Sequence, residues 1–523
     1  MNLPPKHSSR RTPVQTSEHP RLGQKFHSFG EAAVNQIATA SAFIVIVLGI
    51  PAISPEVAAG AAPAVVTIDH NPQFFIDDYL VDNRWGVQFL TETVTRVSHQ
   101  PSKDIHNPVI AGKGGYVNVA RDERTGLFRM WYQDYWDQSL NPRKYTYGIA
   151  YAESTDGIHW KLPRIGKYDF KGTRDNNIVL LGPENGRAET PFLLDVPHEH
   201  RRGYEYLMLY TTNVRGKSGM HVIGSKDGIA WDSASDVRIA ADFTPDTQAS
   251  IVWDPRHAKF VCFTRATNIY RAKGERRKIA RLENDSLWGA WPVTPENILL
   301  PDSLDARTGH NYFYGMPTRY YAGIYWGFLW PYRHQEDIYT ELAFSRDGRN
   351  FQRFPDRPRL IDLGPDKSWD GGMVLGSPTW IEVGDQWWIY YTATNEAHKS
   401  RTPTPGIGLA RIRKEGFVSL RSPPGGGFVV TRLLRWPGGR LFVNADVCQS
   451  EMTVRITDYN RQPLKNFDSR PSLPIIGDSV HHEVRWKKGD IRDLKGLAIR
   501  IEFFMKSRAD LYSFRAGPAG DNP

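Results

Sequence analysis

The chain has 523 residues, 24% of them charged, and a formal net charge of +9, which makes it too long for one ordinary hydrophobic core and too evenly mixed for a disordered chain. No basic run with interleaved aromatics follows the pattern of a phosphate-tracking surface, so nucleic acid is not an expected partner. An anionic substrate would suit the positive balance without being required by it. Aromatics reach 12%, with 16 Trp, 23 Tyr and 24 Phe, a richness that fits either stacked β-sheets or a sugar-binding surface.

In chain order, residues 1–36 are polar and basic, and the apolar run Ile37–Ile53 and the small-residue stretch Ala58–Ala62 follow. This order predicts an export leader over residues 1–62, cleaved near Ala61 or Ala62, with an uncleaved anchor as the alternative. The run is shorter than the roughly 20 apolar residues of a membrane span. The expected location is therefore secreted, periplasmic or cell-envelope, without stable membrane insertion once the leader is cut. The two cysteines, Cys262 and Cys448, lie in apolar strand-like runs and read as two buried free thiols. No disulfide and no zinc site is expected.

The most informative feature is an internal repeat. Ser154-Thr155-Asp156-Gly157-Ile158-His159-Trp160 returns as Ser225–Trp231 and again as Ser345–Phe351, with decayed copies at Glu283–Trp291 and Arg413–Phe417. In each copy the Asp side chain accepts backbone N–H bonds, Gly supplies a positive φ, and the terminal aromatic packs between neighbouring sheets. Each copy follows two strand-like runs: Tyr116–Asp122 and Leu127–Tyr132 before the first, Pro191–Asp195 and Tyr204–Tyr210 before the second. A period of roughly 60–70 residues built from three or four short strands reads as a propeller blade. Five copies predict an all-β fold with a five-bladed β-propeller over residues 66–420, free of helical periodicity. After Ser422–Gly427 the repeat stops. Alternating runs such as Leu441–Asn444, Thr453–Ile456 and Ile499–Phe503 then predict a C-terminal β-sandwich over residues 428–515.

This organisation resembles the five-bladed propeller superfamily of glycoside hydrolase families 43, 32, 68 and 130, and most of all the exported family 32-like proteins with a C-terminal sandwich. The residues that carry the likeness are Phe74–Val81, Arg129–Tyr132, Asp246–Gln248 with Ile251–Asp254, Trp369–Met373, Leu441–Ala445 and Leu511–Phe514. The resemblance implies a carbohydrate substrate and an axial pocket, but not which sugar, because one fold hosts many chemistries.

Glycoside hydrolysis needs two carboxyl groups flanking the bond, and in a propeller they project from the start of each blade's first strand. Blade 1 offers Lys113-Gly114-Gly115-Tyr116, with no acid where the resemblance implies one; Asp104 is the nearest upstream. Blade 2 offers Glu189, matching the superfamily's second carboxylate or else a solvated loop residue. Blade 3 offers Asp246, with Gln248 beside it; a turn-capping Asp after Pro245 is the competing account. Blade 4 offers His310, and blade 5 offers Asp370 with Trp369 as a stacking face, an Asp-Gly turn being the alternative. Arg265 can clamp a substrate anion or pair with a structural acid, and His398 is a further pocket candidate. Glu341 precedes a third strand and should lie away from the axis. Asp246, Asp370 and Glu189 are thus the expected catalytic carboxylates, and Trp369, His310, Gln248, Arg265 and His398 the expected substrate contacts. No cofactor or metal is expected, since no phosphate loop, metal helix or nucleophile elbow appears. The expected activity is hydrolysis of a poly- or oligosaccharide; the alternatives are a non-catalytic carbohydrate-binding propeller and a phosphorylase-like enzyme.

Overall fold

The computed structural model describes residues 64–86, 93–136, 146–241, 243–265, 277–400 and 402–518; the expected leader lies outside them. Five antiparallel sheets follow one another as blades. Blade 1 runs through Asn118–Arg121, Phe128–Trp136, Thr146–Ser154 and Ile178–Leu180, and blade 2 through Glu189–Leu193, Tyr206–Thr212, Gly219–Ser225 and Trp231–Ala241. Blade 3 comprises Ser250–Asp254, Lys259–Arg265, Ile279–Asn284 and Glu296–Leu299. Blade 4 comprises Thr318–Tyr321, Ile324–Leu329, Thr340–Ser345 and two short outer pieces, Gln352–Arg353 and Arg359–Ile361. In blade 5, Met373–Gly376 and Ile381–Val383 both pair with Gln386–Thr394, which pairs with Pro405–Arg413. Its outer strand comes from the other end of the propeller: Ser102–Lys103 and Ile110–Ala111 pair with Pro405–Arg413 and close the ring.

The repeated turn forms as its chemistry requires. Ser154 Oγ accepts from Gly157 N at 2.9 Å, and Asp156 Oδ1 accepts from the amides of Ile158 and His159, both at 2.8 Å. The same bonds recur at Ser225 and Asp227, and at Ser345 and Asp347. The turn also locks blades together. Trp131 Nε1 of blade 1 donates to Gly228 O of blade 2 at 2.7 Å, and Tyr390 OH of blade 5 donates to Gly157 O of blade 1 at 2.8 Å. Phe351 of blade 4 meets Phe263 of blade 3 edge-on at 5.5 Å.

The blades also hold each other, and every blade junction carries a hydrogen bond between a side chain and backbone. Asn118 Nδ2 donates to Pro191 O at 2.8 Å, Gln248 Nε2 to the same carbonyl at 2.6 Å, and Thr318 N to Ser250 Oγ at 2.9 Å. Thr340 Oγ1 donates to Val374 O (3.1 Å) and accepts from Gly376 N (2.8 Å), while Val117 N donates to Thr392 Oγ1 at 3.4 Å. Burying these short polar side chains costs little once each is paired.

The structure revises three expectations. The first four strands, between Val66 and Ser98, pair with C-terminal strands in an eleven-stranded network, as does Val418–Arg421. The propeller thus spans Ser102–Arg413, not 66–420. Phe74 and Ile76 point into the core under blades 4 and 5, whereas Phe75 enters the sandwich core, so one extended segment joins both domains by side-chain alternation. One α-helix, Ser303–Thr308, interrupts blade 4's approach, held by a capping box between Asp302 and Asp305. Cys262 is buried, as expected, but Cys448 is exposed. Glu341 is buried and paired with Arg353, which also binds Asp305. Among the described residues, no helix is long and apolar enough to cross a membrane.

Gly228 tests the interlocked turn. Its φ is +77°, and a Cβ there would stand 2.5 Å from Trp131 Cζ2; Gly172, at φ +76°, has open space around it. Both Gly→Ala changes carry the left-handed cost of about 1–2 kcal/mol. Gly228→Ala adds roughly 1–3 kcal/mol of overpacking. Denaturant unfolding should place Gly228→Ala clearly below Gly172→Ala; equal midpoints would contradict the interlock.

Candidate active site at the propeller axis

Backbone strain marks the mouth of the axis. Tyr116, Thr190 and Asp246, at or just before the start of the first strands of blades 1, 2 and 3, have φ of 50°, 55° and 52°. Side-chain-bearing residues in this region cost of order 1–3 kcal/mol each and persist only when neighbours hold them. The holders are visible. Tyr116 O accepts from Asn118 Nδ2 at 3.0 Å and from Gln248 Nε2 at 3.4 Å. Thr190 N donates to Gln133 Oε1 at 2.7 Å. Arg265 clamps the third turn: Nε donates to Pro245 O (3.0 Å), and one terminal nitrogen reaches both Asp246 O (2.6 Å) and Asp246 Oδ2 (3.0 Å).

Asp246 is the charge the site shares. Its side chain is 80% exposed while that of Arg265 is 2% exposed, so the carboxylate stands in the mouth on a buried cationic base. Its field acts on Tyr116, Glu189, Tyr314 and His398 as well as on Arg265. Glu189 has a side chain only 13% exposed and is held by Arg187 at 2.9 Å and Asn213 at 3.2 Å. Burial pushes its carboxyl above the usual glutamate range; Arg187 opposes this and Asp246 reinforces it. Burial, with Asp246, also raises Tyr116 and Tyr314; the Tyr314 phenol adds to the rise of Tyr116, whereas Arg265, Tyr116 and Arg277 oppose that of Tyr314. His398 is held below the ordinary histidine value by burial and by Arg277 and Arg265, against the pull of Asp246.

An aromatic floor lies beneath these groups. Tyr116 packs on buried Trp330 at 6.1 Å, and Tyr314 meets buried Tyr332 edge-on at 5.5 Å. His398 sits against Tyr314 and Tyr332 at 5.3 and 5.0 Å, with Nδ1 3.2 Å from Tyr332 OH. Apolar ring faces beside hydrogen-bonding groups suit the alternating faces of a pyranose.

Glu189, Asp246, Arg265 and His398 are thus brought together, and Gln248 lies beneath them with its amide nitrogen committed to the blade junction. The other three sequence candidates stand elsewhere. His310 is buried after the short helix, its ring nitrogens facing Thr308 Oγ1 at 2.9 Å and Asp337 Oδ2 at 3.4 Å. The short helix precedes blade 4, and the segment leading into Thr318–Tyr321 pairs from Tyr312 onward with Phe328–Tyr332. Asp370 is buried in an ion pair with Lys103 at 2.6 Å and accepts from Ser368 at 2.9 Å. Trp369 stacks on Tyr391 at 5.7 Å and 29°. Among the described residues, no contact joins this blade 5 group to Asp246. The strand starts gave no role to Tyr116, Tyr314, Tyr332 or Arg277, although an aromatic at the strand start was an available signal for the first two. Arg277 follows no pattern. No group of three metal-ligating side chains occurs among the described residues.

No protein-family model and no curated protein matches the chain. Solved structures similar to it include a β-1,2-mannobiose phosphorylase from Listeria innocua, 10% identical, with a TM-score of 0.44 over 60% of this chain and 97% of that one. A glycosyl hydrolase from Bacteroides ovatus is 14% identical, with a TM-score of 0.41 over 66% and 98%. A thermostable family 43 glycoside hydrolase is also 14% identical, with a TM-score of 0.40 over 62% and 95%.

The placement of Asp370 yields a prediction. Asp370→Asn leaves Lys103 without its acid and should cost about 1–3 kcal/mol, less than a fully buried pair because Lys103 stays partly exposed. Adding Lys103→Met should recover most of that loss in a double-mutant cycle read by denaturant unfolding. Additive losses would contradict a structural pair.

Proposed function

We propose that the chain is an exported carbohydrate-active enzyme that hydrolyses a glycosidic bond at the propeller axis. The observation that carries this reading is the pair formed by Glu189 and Asp246, two carboxyl groups on adjacent blades, with the Asp246 charge acting on the half-buried Glu189. Their surroundings differ as an acid and its partner require: Glu189 is half-buried and raised, while Asp246 stands exposed on Arg265. Glu189 is the general acid that protonates the leaving oxygen. Asp246 activates water or attacks the anomeric carbon. Tyr116, Tyr314 and Tyr332 supply the stacking surface, and His398 donates to or accepts from a sugar hydroxyl.

Tyr116 stands where an acid was expected in blade 1, and this favours a second reading in which the same pocket binds a glycan without cleaving it. The two separate on Glu189. With a polysaccharide panel to find the substrate, Glu189→Gln should lower kcat/KM by roughly 10²–10⁴-fold. It should lose far less on an aryl glycoside whose leaving group needs no proton. Because the Glu189 pKa is raised, its proton survives above the usual glutamate range, and activity that needs the proton falls as pH rises through the shifted value. Glu189→Gln should erase that alkaline limb. Glycan binding without release of reducing ends by the parent chain favours the binding reading and contradicts hydrolysis.

A further inference from the structure

Arg277 stands just before the strand Ile279–Asn284, with its carbonyl accepting from Phe313 N at 3.1 Å. Its guanidinium lies over two rings of the aromatic floor, 5.5 Å from the centroid of Tyr314 and 5.3 Å from that of Tyr332. Nη1 is sealed from solvent and has no hydrogen-bond partner. Among the described residues, Arg277 forms no ion pair and its guanidinium makes no hydrogen bond. The contrast with Arg265 is direct: that side chain spends its donors on Pro245, Asp246 and Tyr314 and has Asp246 as counter-ion. Among the described residues no acid pairs with Arg277, and the Asp246 carboxylate nearby is already paired with Arg265. Arg265 is a second cation, His398 is pushed toward neutrality by burial and by both arginines, and the exposed His334 lies 5.4 Å from Tyr312.

A cation seated over two aromatic rings is held in place by them, while its N–H donors stay uncommitted to the protein. A guanidinium edge matches a carboxylate or sulfate with two parallel hydrogen bonds, which a neutral hydroxyl cannot reproduce. Asp246 does not meet this need, since it is paired with Arg265. Among the described residues, Arg277 is therefore a cation without an acid of its own, beside a floor suited to a sugar ring.

We propose that Arg277 recognises an anionic substituent, carboxylate or sulfate, on the sugar bound over Tyr314 and Tyr332, so that the substrate is an acidic glycan. This rests on the axial pocket being the substrate site. It goes beyond that reading in naming the substrate's charge and the residue that selects it.

The test is equilibrium binding of the full chain at fixed ionic strength to three matched probes: oligogalacturonides, their carboxyl-reduced neutral counterparts, and sulfated galactan oligosaccharides. Inorganic phosphate and inorganic sulfate serve as competitors. At least one acidic probe should bind roughly ten- to a hundredfold tighter than its neutral counterpart, the range expected for a charge-assisted pair. Arg277→Gln should abolish that preference, and Arg277→Lys should restore part of it. The inference is overturned if acidic and neutral probes bind alike, if the preference survives Arg277→Gln, or if phosphate binds at Arg277 without any acidic glycan doing so. Turnover separates the two readings. Glu189-dependent cleavage of a neutral glycan, indifferent to Arg277, leaves the hydrolase reading standing and sinks this one. Arg277-dependent acidic binding without turnover does the reverse.

Discussion

Everything at the axis depends on how five first strands are pinned around it. Strand-to-strand hydrogen bonds hold each blade, but the junctions between blades are made by Asn118, Gln248, Ser250, Thr340 and Thr392 reaching across to backbone. Two of those side chains converge on one carbonyl, Pro191 O. The ring also has to be closed from its ends, and Ser102–Lys103 and Ile110–Ala111 do so by completing blade 5. A slip at any junction would move the strand starts relative to one another, and the site consists of strand starts.

That rigidity is what permits strained residues at the mouth. Tyr116, Thr190 and Asp246 hold left-handed backbone without being glycine, and Thr190, being β-branched, pays the heaviest steric penalty of the three. The fixed junctions and the Arg265 clamp hold these conformations. The result aims Tyr116 and Asp246 into the mouth and turns Glu189 into a buried corner beside Arg187. Two carboxyl groups of the same chemistry therefore meet different dielectric surroundings, the condition for dividing acid and base roles between them.

The repeat was legible because its chemistry is contiguous: Ser, Asp and Gly build the turn within four residues, and the aromatic that follows finds the preceding blade. Glu189 and Asp246 were legible for a related reason, since strand starts in blades 2 and 3 follow directly from the hydrophobic runs. In blade 4 the rule misplaced the start, because the helix Ser303–Thr308 occupies six residues that carry no long apolar period. His310 consequently belongs to the helix's C-terminal side and not to the axis. In blade 5 the start was right, but Asp370 turns back to Lys103, a partner from the closing strand that no local pattern foretells. The strands between Val66 and Ser98 were read into the propeller because their partners, such as Leu434 and Phe514, lie near the opposite end of the chain. Arg277 was invisible for the same reason: its meaning comes from Tyr314 and Tyr332, which the fold brings to it.

The arrangement stands or falls on Glu189 and Asp246 sharing one pocket. Titrating ¹³C-carboxyl-labelled glutamate by NMR, with the Glu189→Gln spectrum subtracted to isolate the one signal, measures this directly in the free enzyme. Removing the neighbouring charge with Asp246→Asn should lower the Glu189 pKa toward the ordinary glutamate value, while burial keeps it from falling all the way. A Glu189 signal that titrates identically with and without the Asp246 charge would mean the two carboxyl groups do not meet, and the proposed active site would have to be abandoned.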